Sequence, residues 1–298
     1  MRRVLLFGAS GFIGGHVRRE LETTADVACP SRGECDLVTA TPDALRALLD
    51  RVRPDAVVSC AGAVSGAAED LVRANTMATA KLVDAVADAA PEARLVRLGS
   101  AAEYGPVPFG TAAAEDLPPS PVSVYGVSQA AATRLMELAA AAGRVDAVVL
   151  RVFNPVGPGM PATTLLGRVA ALLARLAPGD DLRTGPLDTY RDFVDVRDVA
   201  TAVSRAVTVT APGARVLNVA SGRAVPVSEA VHLLVSVAGR PVRVREDRPP
   251  SPRSAEVSWV RADIRRAASV LGWAPEHDLY DSVGALWSQA APAAAPTR

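Results

Sequence analysis

The most constraining feature of this 298-residue sequence is its first turn: the apolar run Arg3–Phe7 leads straight into Gly8-Ala-Ser-Gly-Phe-Ile-Gly14. Three glycines at this spacing let a chain turn sharply out of a strand and begin a helix with bare backbone at its start. With no Cβ in the way, the first amides of that helix can approach an anion closely. A strand before the glycines and a helix after them therefore predict a βαβ unit that holds a dinucleotide pyrophosphate. Gly8, Ser10, Gly11, Phe12, Ile13 and Gly14 form the expected cradle.

The rest of the chain agrees with that beginning. Strand-like runs recur at Ala25–Cys29, Ala56–Cys60, Arg94–Gly99, Asp146–Val152 and Arg215–Val219. Helical stretches begin near Phe12, Pro42, Ala67 and Val122. Continuous apolar strands alternating with helices predict a parallel sheet covered on both faces, so the fold class is α/β, a doubly wound Rossmann sheet. The alternation weakens after Asn154, where NPVGPGMP and later DRPPSPRS intervene. This divides the chain into a dinucleotide-binding domain (1–154 and 188–222), a smaller substrate-binding domain (155–187 and 223–290) and a disordered tail (291–298).

Charge narrows the range of partners. The 32 basic and 32 acidic side chains balance, so the chain has no overall electrostatic attraction for nucleic acid or an anionic membrane. No apolar run approaches the roughly 18 residues of a membrane span, and glycines interrupt MRRVLLFGASGFIGG too early for a leader peptide. A cytoplasmic location is expected. Cys29, Cys35 and Cys60 contain no CxxC pair and read as free thiols, and no metal-binding set is visible. A homodimer is compatible with all of this.

The end of the second strand bears on cofactor choice. A site selective for NAD usually has an acid there to bind the ribose 2′-hydroxyl. This chain has Cys29-Pro30-Ser31-Arg32, whose hydroxyl and guanidinium suit a 2′-phosphate, so NADPH is expected over NADH. Asp36 and Leu37 follow where they could flank the adenine.

Three further segments, LGSAAEYG (Leu98–Gly105), VYGVSQ (Val124–Gln129) and RVFNPVGPG (Arg151–Gly159), make the chain resemble the extended short-chain dehydrogenase/reductases, the NAD-dependent epimerase/dehydratase family. GPLDTYRDFVDVRDVA, LNVASGRAV and RSAEVSWVRADIRRAASVLGWAP extend the resemblance over nearly the whole chain, nearest to the GDP-4-keto-6-deoxymannose reductase branch. The resemblance implies a catalytic set of Ser100, Tyr125 and the residue four after the tyrosine. It adds Cys60, Ala61, Gly62, Asn75, Tyr125, Gln129 and Phe153 to the cofactor contacts. Ser100, Glu103, Asn154, Arg191 and Arg253 would meet the substrate.

One catalytic position departs from the family pattern. Where the family has a lysine that lowers the tyrosine pKa, this chain has Gln129. Glutamine can replace the hydrogen bonds but not the charge, so Tyr125 is expected to stay near the ordinary value of about 10 and act as a proton donor. That favours ketone reduction over chemistry that begins by oxidising an alcohol. Ala101 and Ala102 follow Ser100 where dehydratases of this kind have acids, which argues against dehydration.

The altered pair, with Pro155 in place of a histidine usual in the sugar reductases, also resembles angucyclinone ketoreductases of the simocyclinone type. The leading expectation is thus an NADPH-dependent ketoreductase acting on a polycyclic aromatic polyketide in antibiotic biosynthesis. The alternatives are an NDP-4-keto-6-deoxysugar reductase and a non-catalytic NAD(P)-binding protein.

Overall fold

The computed structural model describes residues 1–210, 213, 215–249 and 257–291. In chain order the first half comprises β1 (Arg2–Phe7), α1 (Phe12–Leu21), β2 (Ala25–Ala28), α2 (Pro42–Val52), β3 (Ala56–Ser59), α3 (Ala68–Leu71), α4 (Ala78–Ala89), β4 (Arg94–Ser100), α5 (Val124–Ala141) and β5 (Asp146–Val152). The second half adds β6 (Pro155–Val156), α6 (Leu165–Leu173), β7 (Asp181–Thr184), β8 (Tyr190–Asp192), β9 (Val194–Asp195), α7 (Val196–Thr208), β10 (Val216–Val219), β11 (Ala224–Pro226), α8 (Val227–Val237), β12 (Arg243–Glu246), α9 (Arg265–Leu271) and α10 (Leu279–Ala290).

Six strands form one parallel sheet in the order β10-β5-β4-β3-β1-β2. They are the six strands expected from the apolar runs, each end falling within one residue of its expected place. The runs were legible because both faces of the sheet are covered, so successive side chains are buried on opposite sides. Val4, Leu6, Val58, Val96 and Leu150 pack against Val17 of α1, Val199 and Val203 of α7 and Leu271 of α9. Leu5, Phe7, Val57, Leu95 and Val149 pack against Leu45 of α2, Leu82 of α4 and Met136 of α5. Burying each large side chain stabilises the fold by about 1.5–3 kcal/mol.

The winding reverses at β1, which has β2 on one side and β3 on the other. In such sheets the crevice beyond the carboxyl ends at the reversal is where ligands bind. A separate apolar cluster contains Val156, Leu166, Leu173 and Leu182 from the first part of the expected smaller unit. Val231, Leu234, Val283 and Leu286 come from its second part. Within that second part, α9 and Trp273 pack instead on the sheet, where Trp273 Nε1 donates to the Asp198 carbonyl at 3.0 Å. Among the described residues, no helix is long and apolar enough to cross a membrane.

Candidate active site

The loops at the reversal meet as bare backbone. Gly8 turns the chain out of β1 with φ +81°, in the left-handed region. A Cβ on Gly8 would lie 2.7 Å from Ala61 N, and one on Gly14 would lie 2.0 Å from the Gly8 carbonyl oxygen. Gly11 caps α1 in an extended conformation, and among the described residues no side-chain cap bonds the amides of the first turn. Those amides, at the positive end of the helix dipole, are disposed to hold an anion. The cradle fits a dinucleotide pyrophosphate: a side chain at Gly8 or Gly14 would collide with the backbone that closes the turn and force it apart. Ser10 and Gly11 are exposed here, Phe12 and Ile13 half-buried, and Cys60, Ala61 and Gly62 form the facing loop after β3.

The turn after β2 holds an acid that the sequence reading passed over. Ser31 N and Ser31 Oγ both donate to Glu34 Oε2 at 2.8 Å, and these bonds hold the Glu34 carboxyl below its ordinary range. Glu34 reaches back across the turn, so an acid stands beside Ser31 although none occupies the strand end itself. Arg32 is exposed in the same turn. Asp36 Oδ1 accepts from Val38 N at 2.9 Å. Leu37, expected beside the adenine, has its side chain in the core with Leu5 and Phe7, where an isobutyl group is more stable than in water.

Two expected cofactor contacts are instead supports. Asn75 lies in a π-helical stretch (Val72–Met77) between α3 and α4 and is 1% exposed. Its Oδ1 accepts from Ala63 N at 2.9 Å, and its Nδ2 donates to the Ala63 carbonyl at 2.8 Å and to Ser128 Oγ at 3.0 Å. Asn75 therefore clamps the loop after β3 to α5, and its amide is occupied by the protein. Phe153 is fully buried with Tyr104 and Ala220. It supports the floor and presents no ring to a ligand.

The expected catalytic residues come from β4 and α5. Ser100 ends β4, where its Oγ accepts from Ala102 N at 3.2 Å. Ser123 caps α5 by accepting from Gly126 N, which sets Tyr125 in the first turn. Gly126 lets that turn press onto the Ser100 turn, since a Cβ there would lie 2.4 Å from the Ala102 carbonyl oxygen. Gln129 follows one helical turn after Tyr125, on the same face, and is buried.

Glu103 corrects another expectation. It was placed against substrate, but it is 0% exposed and both carboxylate oxygens are engaged. Oε1 accepts from Ser100 N at 2.9 Å, and Oε2 accepts from Arg151 Nε at 2.8 Å. It anchors the backbone of the catalytic turn. The guanidinium of Arg151 in turn lies 4.5 Å over the Tyr104 ring.

Sequence reasoning missed Arg97. This residue of β4 is 4% exposed, and its Nη2 donates to Gln129 Oε1 at 2.5 Å. An arginine in RLVRLGS carries no mark of where it points; only the packing of α5 on the sheet shows it beneath Gln129.

On the substrate side, Asn154 follows β5 with φ +22°, a strained conformation for a residue with a Cβ, and its Nδ2 donates to the Asp192 carbonyl at 2.9 Å. Arg191 is 8% exposed, with Nη1 donating to the Tyr190 carbonyl and Nη2 to the Val257 carbonyl. Of the acids close to it in sequence, Asp188 is exposed, and Asp192 and Asp195 are engaged elsewhere. Asp192 accepts from Ser221, Gly222 and Ala262, and burial pushes its carboxyl up to about 6. Asp195 pairs with Arg197 at 2.8 Å. Among the described residues Arg191 thus has no carboxylate partner, and burial lowers its pKa. Arg253 lies outside the described residues. Beside Arg191, the rings of Tyr190 and Trp259 stand 5.4 Å apart, and the exposed Phe109 ring lies 4.5 Å from Trp259.

A phosphate cradle at the reversal of a doubly wound sheet, with a serine and a tyrosine beside it, defines a dinucleotide-dependent enzyme class. Comparison with known proteins gives the particular family. Residues 4–220 match the NAD dependent epimerase/dehydratase family. The chain is 40% identical over 303 residues to dTDP-6-deoxy-L-talose 4-dehydrogenase (NAD(P)(+)) of Kitasatospora kifunensis, covering 96% of this chain and 95% of that one. It is 31% identical to GDP-6-deoxy-D-mannose reductase of Pseudomonas aeruginosa, covering 96% of both chains. The structure of RMD from Pseudomonas aeruginosa complexed with NADPH superposes with a TM-score of 0.87 at 28% identity, covering 97% of this chain and 99% of that one. The chain belongs to the NAD-dependent epimerase/dehydratase family, and it is an NAD(P)-dependent oxidoreductase.

Proposed function

We propose that this enzyme reduces the 4-keto group of a nucleoside-diphosphate 6-deoxyhexose. The observation that carries the reading is Arg191, a guanidinium 8% exposed with no carboxylate partner among the described residues. A buried guanidinium gains from an anion brought against it, and a diphosphate would engage it through strong charge-assisted hydrogen bonds. The 40% and 31% identical relatives, both named for nucleotide 6-deoxysugar reactions, support the same class. This displaces the polycyclic ketone as the leading substrate, because neither relative is named for a polyketide.

The nicotinamide dinucleotide supplies the hydride when bound. Tyr125 gives its hydroxyl proton to the oxygen on which charge develops, and Ser100 Oγ donates a hydrogen bond to the same oxygen. Glu103 holds the Ser100 backbone, and Asn75 holds the loop after β3. Arg32 favours the 2′-phosphate of NADPH, whereas the Glu34 carboxylate beside Ser31 opposes it. The site accordingly uses both dinucleotides.

Following NADPH oxidation at 340 nm with dTDP- and GDP-4-keto-6-deoxyhexoses tests the reading. Turnover is expected, with the free nucleoside diphosphate competing. Arg191→Met should raise KM and the competitor's Ki about tenfold or more, the loss of one charge-assisted contact of 1.4 kcal/mol or above. Turnover of a polycyclic aromatic ketone alone, with nucleoside diphosphates inert, would overturn it.

A further inference from the structure

Arg97 occupies a position where an arginine is costly. It projects from the middle of β4 toward the helices that cover Leu95 and Val149, both apolar and almost fully buried. Its Nε donates to Thr79 Oγ1 at 3.0 Å and its Nη2 to Gln129 Oε1 at 2.5 Å. Its Nη1, also buried, has no hydrogen-bond partner among the described residues. Among the described residues no carboxylate forms an ion pair with it, and Glu103 on the adjoining turn is paired with Arg151. A fold gains little stability from a cation held this way, so the charge points to a role at the neighbouring site.

We propose that Arg97 is the electrostatic and positioning partner of Tyr125, acting through Gln129: its buried guanidinium supplies the positive charge that Gln129 lacks. The proposal rests on Tyr125 being the acid–base group and is independent of which sugar is bound.

The geometry does two things. A guanidinium has donors only, so Gln129 must turn Oε1 toward Arg97, which directs its Nε2 hydrogens away from the strand. Gln129 lies four residues after Tyr125 on the same helix face, so this fixes a donor group alongside the tyrosine. The charge also acts on Tyr125 directly. Burial lowers the pKa of Arg97, and Glu103 and then ionised Tyr125 partly offset this; because that last interaction is reciprocal, Arg97 favours the phenolate.

The other charges on elements packed around α5 do not provide this. Glu69 and Arg73 pair with each other at 2.6 Å in solvent, Asp70 is exposed, and Lys81 donates to the Val38 and Ala40 carbonyls. Glu103 opposes a phenolate but is itself paired. By favouring ionisation of Tyr125, Arg97 makes it a better acceptor for the proton of an alcohol. The strong bias toward reduction expected from Gln129 alone is therefore reduced.

The test is a 13C NMR titration of the full-length protein carrying [ζ-13C]tyrosine, with Tyr125→Phe assigning the resonance. Tyr104 provides an internal contrast, since burial pushes it up to about 12. Arg97→Met is expected to raise the Tyr125 pKa by about one unit or more, and Arg97→Lys to keep most of the wild-type value. The rate of alcohol oxidation below that pKa should fall about tenfold for each unit, with the melting temperature little changed because the cost of burying the charge goes with its contacts.

Gln129→Lys should lower the melting temperature by placing two cations together, and Arg97→Met/Gln129→Lys should restore both stability and titration. If Arg97→Met does not fold, Arg97→Gln against Arg97→Lys makes the same neutral-against-charged comparison. A Tyr125 titration that moves by less than about 0.3 unit in the neutral variant would overturn the proposal and leave Arg97 a structural residue. Near-full activity of Tyr125→Phe would instead remove the acid–base assignment on which the proposal rests.

Discussion

Replacing Arg151 with methionine would strand the Glu103 carboxylate inside the protein. The two side chains are 3% and 0% exposed and meet at 2.8 Å, so solvent screening does not soften the loss. Removing one member of such a pair costs about 3–5 kcal/mol, because the remaining charge is buried without compensation. With about 2.1 cal/mol/K of unfolding entropy per residue, 298 residues give roughly 0.6 kcal/mol/K, so the melting temperature should fall by about 5–8 °C. The lost contact over the Tyr104 ring adds to this.

Scanning fluorimetry and urea unfolding would measure the effect. Glu103→Leu/Arg151→Met should recover most of it, short by about 1 kcal/mol for the bond from Ser100 N. The double variant should still turn over slowly, since the Ser100 turn has lost its anchor. A loss below about 1 kcal/mol in Arg151→Met, or a double variant no more stable than the single one, would refute the account of Glu103 as a paired anchor.

Gly14→Ala should abolish NAD(P)H binding in a fluorescence titration, because its Cβ would lie 2.0 Å from the Gly8 carbonyl oxygen; retained affinity would mean that the cradle is not the pyrophosphate site. At the turn after β2, Glu34→Ala should shift the affinity ratio toward NADPH and Arg32→Ala toward NADH. Each change should be a few-fold, in keeping with exposed charges, and an unchanged ratio in both variants would place 2′-phosphate selection elsewhere.

The sheet and the glycine cradle were legible in the sequence because both depend on near neighbours. A strand buried on both faces is apolar over most of its length, as in VLLF of β1, and the turn here that brings a helix end against a strand excludes a Cβ. Ser100, Tyr125 and Gln129 stand on elements that could be read in the same local way.

What could not be read was the surrounding charge. Glu34 meets Ser31 only because its turn folds back, Asn75 is consumed by a loop contact, and Glu103 is anchored by an arginine 48 residues away. Arg97 and Gln129 are separated by 32 residues, and the sequence portrayed Gln129 as a site without a cation. The sequence alone determined the order of strands and helices and the phosphate turn, since backbone geometry is set by a residue and its neighbours. Only the tertiary structure decided which groups are charged against which, because the energy of a charge depends on its burial and on whatever distant side chain the packing brings beside it.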